Sequence, residues 1–421
     1  MIWLAAVVFI LTVIGAIVAY NFIGGEKRIE RHLQRLYSID DPGFERELGV
    51  LLGPAVVGGN RYRALKNGDE IFPAMLSAIR GASKTINFES YIYWSGEIGK
   101  AFAEALAERA KAGVKVHVLL DWVGSTKVDK AVLDVMTDAG VDVKRYHPVR
   151  WYTLGKLNNR THRKLLIVDG KVGFTGGVGI APEWTGHAQD SQHWRDTHFQ
   201  VEGPVVGQMQ SVFLDNWIKV SGEVPHGEDY FPAIPSVGHG RAQIFSSSPT
   251  GGSESMALMY LLAITASRSS IDLSAAYFVP DDLTLQALLA ALKRGVRVRI
   301  IVPGEHMDSE TSRSASRARW GQPLQAGALI AEYGPTMYHC KVMIVDGLLV
   351  SVGSTNFDNR SFHLNDEATL NILDREFAAE QTKIFEADLA NSTQMSFFAW
   401  SNRAWREKLT DRLASMMGSQ L

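Results

Sequence analysis

Residues 161–170 read THRKLLIVDG, and residues 338–347 read YHCKVMIVDG. Each segment has the pattern His-x-Lys-x-x-x-x-Asp-Gly, and the two histidines, His162 and His339, lie 177 residues apart. A pair of small residues follows each segment, Gly176-Gly177 in the first and Gly353-Ser354 in the second. An interval this long indicates a duplicated domain rather than a solenoid, whose repeats run to about 20–50 residues.

The segments around the two motifs repeat as well. A strand, a helix and a strand are predicted over 86–93, 99–112 and 114–121, and again over 271–279, 283–294 and 296–302. Gly113-Val114-Lys115-Val116 is followed 182 residues later by Gly295-Val296-Arg297-Val298. The chain is therefore predicted to be an α/β protein of two duplicated α/β sandwich halves, with helices on both faces and mixed strand directions. The joint is predicted within 220–240, which is rich in Gly, Pro and His.

Strand geometry explains why the motif suits a reactive site. Side chains two residues apart on a strand point to the same face, so His162 and Lys164 project together, as do His339 and Lys341. These four residues and the two motif aspartates form the candidate catalytic set. The odd spacing of Asp169 and Asp346 from the histidines favours a structural role for them, in tight Asp-Gly hairpin turns.

Two such pairs in one cleft would suit phosphodiester exchange. Two lysines would neutralise the phosphate oxygens, one histidine could attack phosphorus to give a phosphohistidine, and the other could protonate the leaving alkoxide. A lone histidine on a strand is more often a hydrogen-bonded core residue. Two matched pairs favour chemistry, because burying four such groups without a function would be costly.

Composition excludes several classes of protein. The 421 residues are 46% hydrophobic and 21% charged, which excludes disordered, collagen-like and long coiled-coil chains. A net charge of −2 disfavours a protein that coats nucleic acid. The single cysteine, Cys340, can form neither an internal disulfide nor a thiolate metal cluster. No metal site, Walker motif or dinucleotide fingerprint is evident, so no cofactor is expected.

The N-terminus predicts a membrane anchor. No charged residue occurs in 1–25, and as a helix this stretch would measure roughly 35 Å, enough to cross a hydrocarbon core of about 30 Å. The basic cluster begins only after it, with Lys27 and Arg28, which disfavours a cleaved signal peptide. Basic residues on this flank predict a single-pass protein with its catalytic part in the cytoplasm.

We divide the chain into an anchor (1–25), a juxtamembrane segment (26–58), a first half (59–235) and a second half with a C-terminal helix (236–421). The apolar run 48–57 is too short to span a membrane and contains Pro54, so a buried strand or loop is predicted there.

The chain resembles the phospholipase D superfamily, which two His-Lys-Asp motifs define, and within it the bacterial cardiolipin synthases. The resemblance runs from about Gly59 to near the C-terminus. Its flanking segments are Phe88-Glu89-Ser90-Tyr91-Ile92, Gly113 to Val116, Asp121 with Gly124-Ser125, Glu332 to Met337, and Gly353 to Ser361.

The resemblance implies that two phosphatidylglycerol molecules become cardiolipin and glycerol without metal or nucleotide, at the bacterial inner membrane. It also implies that an acid downstream of each motif orients a histidine, and the matching residues are Asp196 and Glu367. It favours His162 as the nucleophile. Asn356 and Ser354 would support the site. The first half has Gly179 where the second has Asn356, so an amide donor to phosphate would come from one half only.

Aromatic residues are candidates for the rim of a membrane-facing cleft. They are Trp94, Trp122, Trp151, Tyr152, Trp184 and Trp194. Near the C-terminus, 397–413 could form an amphipathic surface helix, although packing against the catalytic body is favoured.

Three functions are compatible with the sequence. A cardiolipin synthase is the first; a phospholipase D-type hydrolase, or a phosphatidyltransferase with another alcohol acceptor, would use the same residues. A nuclease or an inactive nucleic-acid-binding module on the same scaffold ranks lowest, because its expected basic excess is absent and an anchor would be unexplained.

Overall fold

The structure is a computed structural model. It describes residues 37–148, 159–249 and 254–416, together with Trp3, 6–13, Gly15, Ile29 and 31–34. The chain divides into two compact units, 1–31 and 32–421. In the first unit Trp3, residues 6–13 and Gly15 are helical, and the other residues of the predicted anchor lie outside the described residues. None of the helices in the described part of the chain is both long and apolar enough to cross a bilayer.

The second unit begins with alternating helices and strands. In chain order they are α1 (Pro42–Leu52), β1 (Val57–Lys66), α2 (Asn67–Gly81), β2 (Thr85–Ser90), α3 (Glu97–Lys111), β3 (Lys115–Asp121), α4 (Lys130–Thr137), β4 (Asp142–Tyr146), β5 (Leu165–Val168), β6 (Val172–Gly176), β7 (Thr197–Glu202) and α5 (Val205–Ser221).

The same alternation continues after a connection over 222–239. The elements are β8 (Gly240–Ser247), α6 (Glu254–Ala266), β9 (Ser270–Ala275), β10 (Phe278–Val279), α7 (Asp282–Lys293), β11 (Arg297–Pro303), α8 (Glu310–Arg319), α9 (Gly321–Gln325), β12 (Leu329–Tyr333), β13 (Lys341–Val345), β14 (Leu349–Gly353), β15 (Phe357–Asp358), α10 (Asn359–His363), β16 (Glu367–Leu373), α11 (Arg375–Ala390), β17 (Ser392–Met395), α12 (Phe397–Ser401) and α13 (Trp405–Ser415).

One sheet runs through both halves. Among the described residues it has 15 strands, and β1 and β8 pair antiparallel at its centre. From this seam the order is β1-β7-β6-β5-β2-β3-β4 in one direction and β8-β16-β14-β13-β9-β11-β12-β17 in the other. In each half three strands are parallel and the others antiparallel. The predicted duplicated α/β architecture with mixed strand directions is therefore confirmed.

The motif strands are buried on both faces. In β5, Leu166 and Val168 pack into a core beneath α2 and α3, whereas Leu165 and Ile167 pack against α5. In β13, Met343 and Val345 face the core beneath α6 and α7. The central core beneath α5 and α11 takes side chains from both halves, including Val342 and Ile344. This packing fixes the register of the segments that precede β5 and β13.

One local prediction was wrong. The run 48–57 is not a buried strand or loop, because α1 occupies its first part. The Asp41 carboxylate accepts a hydrogen bond from the Gly43 amide at the start of α1, and Pro42 occupies the first turn. Phe44, Leu48 and Leu52 repeat every four residues and are buried, whereas Val50 is exposed.

Candidate active site

The motif segments end in identical turns. Asp169-Gly170 has φ angles of 51° and 61°, and Asp346-Gly347 has 52° and 58°. Positive φ at both central residues is typical of the tight turn that joins two antiparallel strands, here β5 to β6 and β13 to β14. The glycine in each turn takes this conformation without strain.

The structure does not bring the motif aspartates to the histidines. The Asp169 carboxylate accepts hydrogen bonds from the amides of Ser83, Lys84 and Thr85, at 2.9, 2.7 and 3.0 Å. Asp346 accepts from the amides of residues 268–270 in the same way. Both carboxylates lie at the opposite end of their strand from the histidine, about 20 Å along an extended chain. This placement corrects their inclusion in the candidate catalytic set and favours the structural role.

His162 is held by a carboxylate from the other half of the molecule. Its Nδ1–H donates to Glu367 at 3.0 Å, and its backbone amide donates to the carbonyl of Asp366 at 2.8 Å. The Ser354 hydroxyl donates to the second oxygen of Glu367, and the Asn365 amide group lies 3.4 Å from the first. Glu367 is fully buried, so these contacts fix its position.

His339 is held in the reciprocal way. Its Nδ1–H donates to Asp196 at 2.7 Å, and its backbone amide donates to the carbonyl of Arg195 at 2.8 Å. The indole N–H of Trp184 donates to the same carboxylate at 2.9 Å. Arg195 is itself fixed by a bidentate ion pair with Asp388, at 2.9 Å for both contacts. Each predicted acid therefore serves the histidine of the opposite half.

The lysines complete the two pairs. Lys164 Nζ donates to the carbonyl of His162 at 2.8 Å, and Lys341 Nζ donates to that of His339 at 2.9 Å. Burial, together with the charge of Lys341, lowers the pKa of Lys164 to about 7. The Lys341 charge also lowers the pKa of His162, and the Lys164 charge that of His339. The two pairs thus share one electrostatic environment, as convergence in one cleft requires.

Both imidazoles are neutral near pH 7. Burial lowers the pKa of His162 to about 4 and that of His339 to about 3, and the carboxylate partners offset only part of this effect. A carboxylate can only accept, so the proton of each neutral ring lies on Nδ1. The Nε2 atom of each histidine therefore carries a lone pair.

The surroundings of the two histidines differ. A cavity of about 270 Å³ opens beside His162. Its lining residues are Tyr91, Arg160, His162, Tyr277, Ser309, Ser312, Asn356, Asp358, Arg360 and Asn365. The rings of Trp184 and Trp194 instead lie 5.3 and 5.4 Å from the ring of His339. Of the two histidines, His162 is the one on the cavity wall.

The small residues after each motif explain part of this asymmetry. A side chain at Gly177 would place its Cβ 2.3 Å from an Asp196 oxygen, so glycine leaves room for that carboxylate. The second half has Ser354 there, whose hydroxyl binds Glu367 instead. A Cβ at Gly179 would lie 2.8 Å from that of Ile92, whereas its counterpart Asn356 lines the cavity with an Oδ1 that has no hydrogen-bond partner.

The predicted aromatic rim is only partly supported. Trp184 is fully buried and binds Asp196, so its assignment to the rim was wrong. Trp194 packs beside it, and Trp94 donates its indole N–H to the carbonyl of Gly124. Trp122 is exposed at the surface. Trp151 and Tyr152 lie outside the described residues.

Sequence comparison agrees with this geometry. Residues 75–214 and 260–389 match the family described as "Cardiolipin synthase, PLD-like domain". The chain belongs to this family. Both motif segments, and both carboxylates that bind the histidines, lie within the matched residues.

Relatives of this cardiolipin synthase family cover most of the chain. Cardiolipin synthase 2 of Bacillus anthracis is 35% identical over 83% of this chain and 68% of its own length. The cardiolipin synthase of Geobacillus kaustophilus is 33% identical over 85% and 72%. The chain therefore spans about two thirds of the length of these relatives.

Solved structures share the fold at low identity. The phosphatidylserine synthase of Haemophilus influenzae superposes with a TM-score of 0.69 at 13% identity, covering 90% of this chain and all of its own. The polyphosphate kinase of Porphyromonas gingivalis gives 0.54 at 13% identity, over 89% and 53% of the two chains. At this identity they support the duplicated fold alone.

Proposed function

We propose that this chain is a cardiolipin synthase. It transfers the phosphatidyl group of one phosphatidylglycerol to a second phosphatidylglycerol and releases glycerol. The observation that carries the proposal is the crossed arrangement in one site, where two His-Lys pairs each receive a buried carboxylate from the opposite half. The names of the relatives support cardiolipin as the product.

The first step needs a positioned phosphate. The phosphodiester lies between Lys164 and Lys341, whose ammonium groups bind its non-bridging oxygens and the charge that builds there in the transition state. The Asn356 side chain offers its N–H₂ group from the cavity wall. No comparable donor is available from the first half at Gly179.

His162 is the nucleophile in this proposal. Its Nε2 lone pair attacks phosphorus, the P–N bond forms, and the P–O bond to the glycerol headgroup breaks. His339 gives its proton to the departing oxygen, so glycerol leaves as a neutral alcohol. The position of His162 on the cavity wall supports this assignment, because the cavity leaves space for a ligand next to it.

His339 must gain its proton when the substrate binds. Burial and two nearby ammonium groups keep its pKa low in the free enzyme. A bound phosphodiester adds a negative charge and removes much of the positive potential, which favours the imidazolium. Asp196 stabilises the imidazolium through Nδ1–H, as Glu367 does when His162 becomes phosphorylated.

The second step reverses the proton flow. The primary hydroxyl of the second phosphatidylglycerol gives its proton to His339 and attacks phosphorus, and the P–N bond to His162 breaks. One phosphodiester replaces another, so no energy carrier is required. The fully buried Trp184 and the adjacent Trp194 limit the access of water to His339, which favours transfer to a lipid alcohol over hydrolysis.

We also propose that the enzyme acts at the inner membrane of a bacterium. Residues 1–25 are its single-pass anchor, 26–58 follow as a juxtamembrane segment, and the catalytic halves 59–235 and 236–421 lie in the cytoplasm. The absence of charge in 1–25 and the basic cluster that follows support this topology.

The test uses the full chain, purified and supplied with phosphatidylglycerol vesicles. We expect cardiolipin and glycerol in equal amounts. Release of phosphatidic acid alone would instead identify a hydrolase, and transfer only to an added alcohol would identify another phosphatidyltransferase. His162→Ala and His339→Ala should lose turnover while their thermal unfolding stays close to that of the wild type.

A further inference from the structure

Helix α13 turns its polar side inward. Asp411 and Ala414 are its buried residues, and Asp411 is only 4% exposed. The Asp411 carboxylate pairs with Arg403 at 2.8 Å, and Ala414 packs on Val279 and Ala315. The helix is therefore attached to α8 and its neighbours through the small side chain of Ala414 and a buried ion pair. No large apolar side chain of α13 is buried.

The opposite side of α13 is apolar and faces solvent. Trp405, Leu409, Leu413 and Met416 are exposed by 69%, 49%, 56% and 73%. Their spacing of four, four and three residues places them on one helical face, which we name the C-terminal stripe. An ordinary surface helix shows the reverse pattern, so the C-terminal stripe indicates a missing contact.

Basic residues border the C-terminal stripe. At 100° per residue, Lys408 and Arg412 lie along one edge and Arg406 along the other, and all three are exposed. With Glu407, the exposed charges of α13 sum to +2. A groove of about 810 Å³ runs beside the helix, where Trp400, Trp405, Lys408, Leu409 and Arg412 are among the lining residues.

We propose that the C-terminal stripe docks onto the surface of an anionic lipid bilayer. The four apolar side chains enter the boundary between headgroups and acyl chains, and the three basic side chains contact lipid phosphates. This pattern of a basic border around an apolar stripe is complementary to a negative bilayer. A second copy of the chain is a poorer occupant, because a symmetric contact would place like charges opposite each other.

The position of α13 gives this docking a consequence for the site. Helix α13 packs on α8, and α8 begins directly after Ser309, which lines the cavity beside His162 together with Ser312. The ten residues of α8 span about 15 Å. Helix α8 therefore connects the docking helix to the cavity that receives the lipid headgroup. This step rests on the proposed function, since it supplies the lipid substrate.

The test measures insertion of the stripe in the full chain. Leu409→Cys is labelled with an environment-sensitive fluorophore, and the natural Cys340 does not compete because it is buried and burial raises its thiol pKa to about 12. Vesicles of phosphatidylcholine are compared with and without phosphatidylglycerol. We expect a blue shift of the emission, and quenching by brominated acyl chains, with phosphatidylglycerol present. The same label at the exposed residue Lys111→Cys should not respond.

Charge reversal provides the second arm. The triple variant Arg406→Glu, Lys408→Glu, Arg412→Glu should lose the shift and raise KM for vesicular phosphatidylglycerol about tenfold or more, with kcat unchanged. A matched control reverses three exposed lysines away from α13, at Lys84, Lys100 and Lys111, and changes the net charge equally. That control should keep the shift and the wild-type KM.

Two results would overturn the docking proposal. A label that stays in water in every vesicle would exclude insertion, and a shift that needs no lipid but grows with protein concentration would identify self-association instead. Emission does not depend on turnover. A protein that shows the shift but makes no cardiolipin would therefore refute the proposed function and leave the docking surface intact.

Discussion

The two halves of the molecule build the same site differently. In one, His162 pairs with Glu367, Ser354 steadies that carboxylate, and a cavity lies beside the ring. In the other, His339 pairs with Asp196 and is packed against two tryptophans. Duplication supplied two equivalent imidazoles, and in the proposed mechanism their surroundings give them separate roles. The cavity beside His162 suits attack on a bulky phosphodiester, and the packed surroundings of His339 suit proton transfer.

The largest expected effects separate the two histidines. Both His162→Ala and His339→Ala should lower kcat for cardiolipin formation by about 10³-fold or more. A p-nitrophenyl phosphodiester sharpens the comparison, because p-nitrophenolate leaves without a proton. His339→Ala should then still form a phosphoenzyme and release a burst of nitrophenol, whereas His162→Ala should release none.

This burst experiment can also reverse the assignment. A burst from His162→Ala and none from His339→Ala would make His339 the nucleophile. The phosphohistidine can be located by labelling the phosphoryl group of the substrate and mapping the peptide that carries the label, and its P–N bond is recognised because acid breaks it. Equal bursts from both variants would contradict a division of roles between the halves.

Substitution of the two carboxylates that bind the histidines should give the next largest losses of kcat. Glu367→Gln and Asp196→Asn keep the shape but remove the charge that stabilises each imidazolium, so we expect kcat to fall by about 10²–10⁴-fold in both. The loss should follow the crossed pairing: Glu367→Gln should slow the burst step, and Asp196→Asn should spare the burst with p-nitrophenyl substrate. Glu376→Gln, an exposed neighbour in the chain, is the control and should keep wild-type rates.

The lowered pKa of Lys164 leads us to expect a pH dependence of kcat/KM, an effect of intermediate size. Burial lowers its pKa to about 7, so above that pH the free enzyme loses the ammonium that binds phosphate. We expect kcat/KM to fall up to tenfold per pH unit above about pH 7, since kcat/KM reports free-enzyme ionisations. On the acid side His162 stays neutral down to about pH 4.

The variant Lys164→Arg tests the cause of the alkaline limb. A guanidinium stays charged, so its profile should be flat above pH 7, although its different shape lowers the maximum rate. The control Lys111→Arg, at an exposed site, should keep the wild-type profile. An unchanged alkaline limb in Lys164→Arg would assign it to another group.

Much of this molecule could be predicted from its sequence, because the informative patterns are local. The spacing of the motif predicted that His162 lies beside Lys164 and His339 beside Lys341, and the repeat predicted two matching halves. The crossed pairing could not be predicted, since contact between Glu367 and His162 depends on how the halves pack. Trp184 was misassigned because an aromatic ring suits an interface and a core equally well. The helical periodicity of Phe44, Leu48 and Leu52 begins before the apolar run 48–57, so the run alone does not indicate helix α1.

The motif aspartates should give the smallest effect on activity and a clear effect on stability, alike in both halves. Asp169→Ala removes hydrogen bonds to three amides, and Asp346→Ala removes the matching set, so each should lower the free energy of unfolding by about 2–3 kcal/mol.

The backbone amides hold the pKa of Asp169 below its usual value although burial opposes them. Its stabilisation is therefore present above about pH 4 and is lost as pH falls through the lowered pKa. Chemical denaturation of both variants at neutral pH, and of Asp169→Ala at acid pH as well, measures these effects, and kcat should stay within about threefold of the wild type. A large loss of kcat in a folded Asp169→Ala variant would return this residue to the catalytic set and break the equivalence of the two turns.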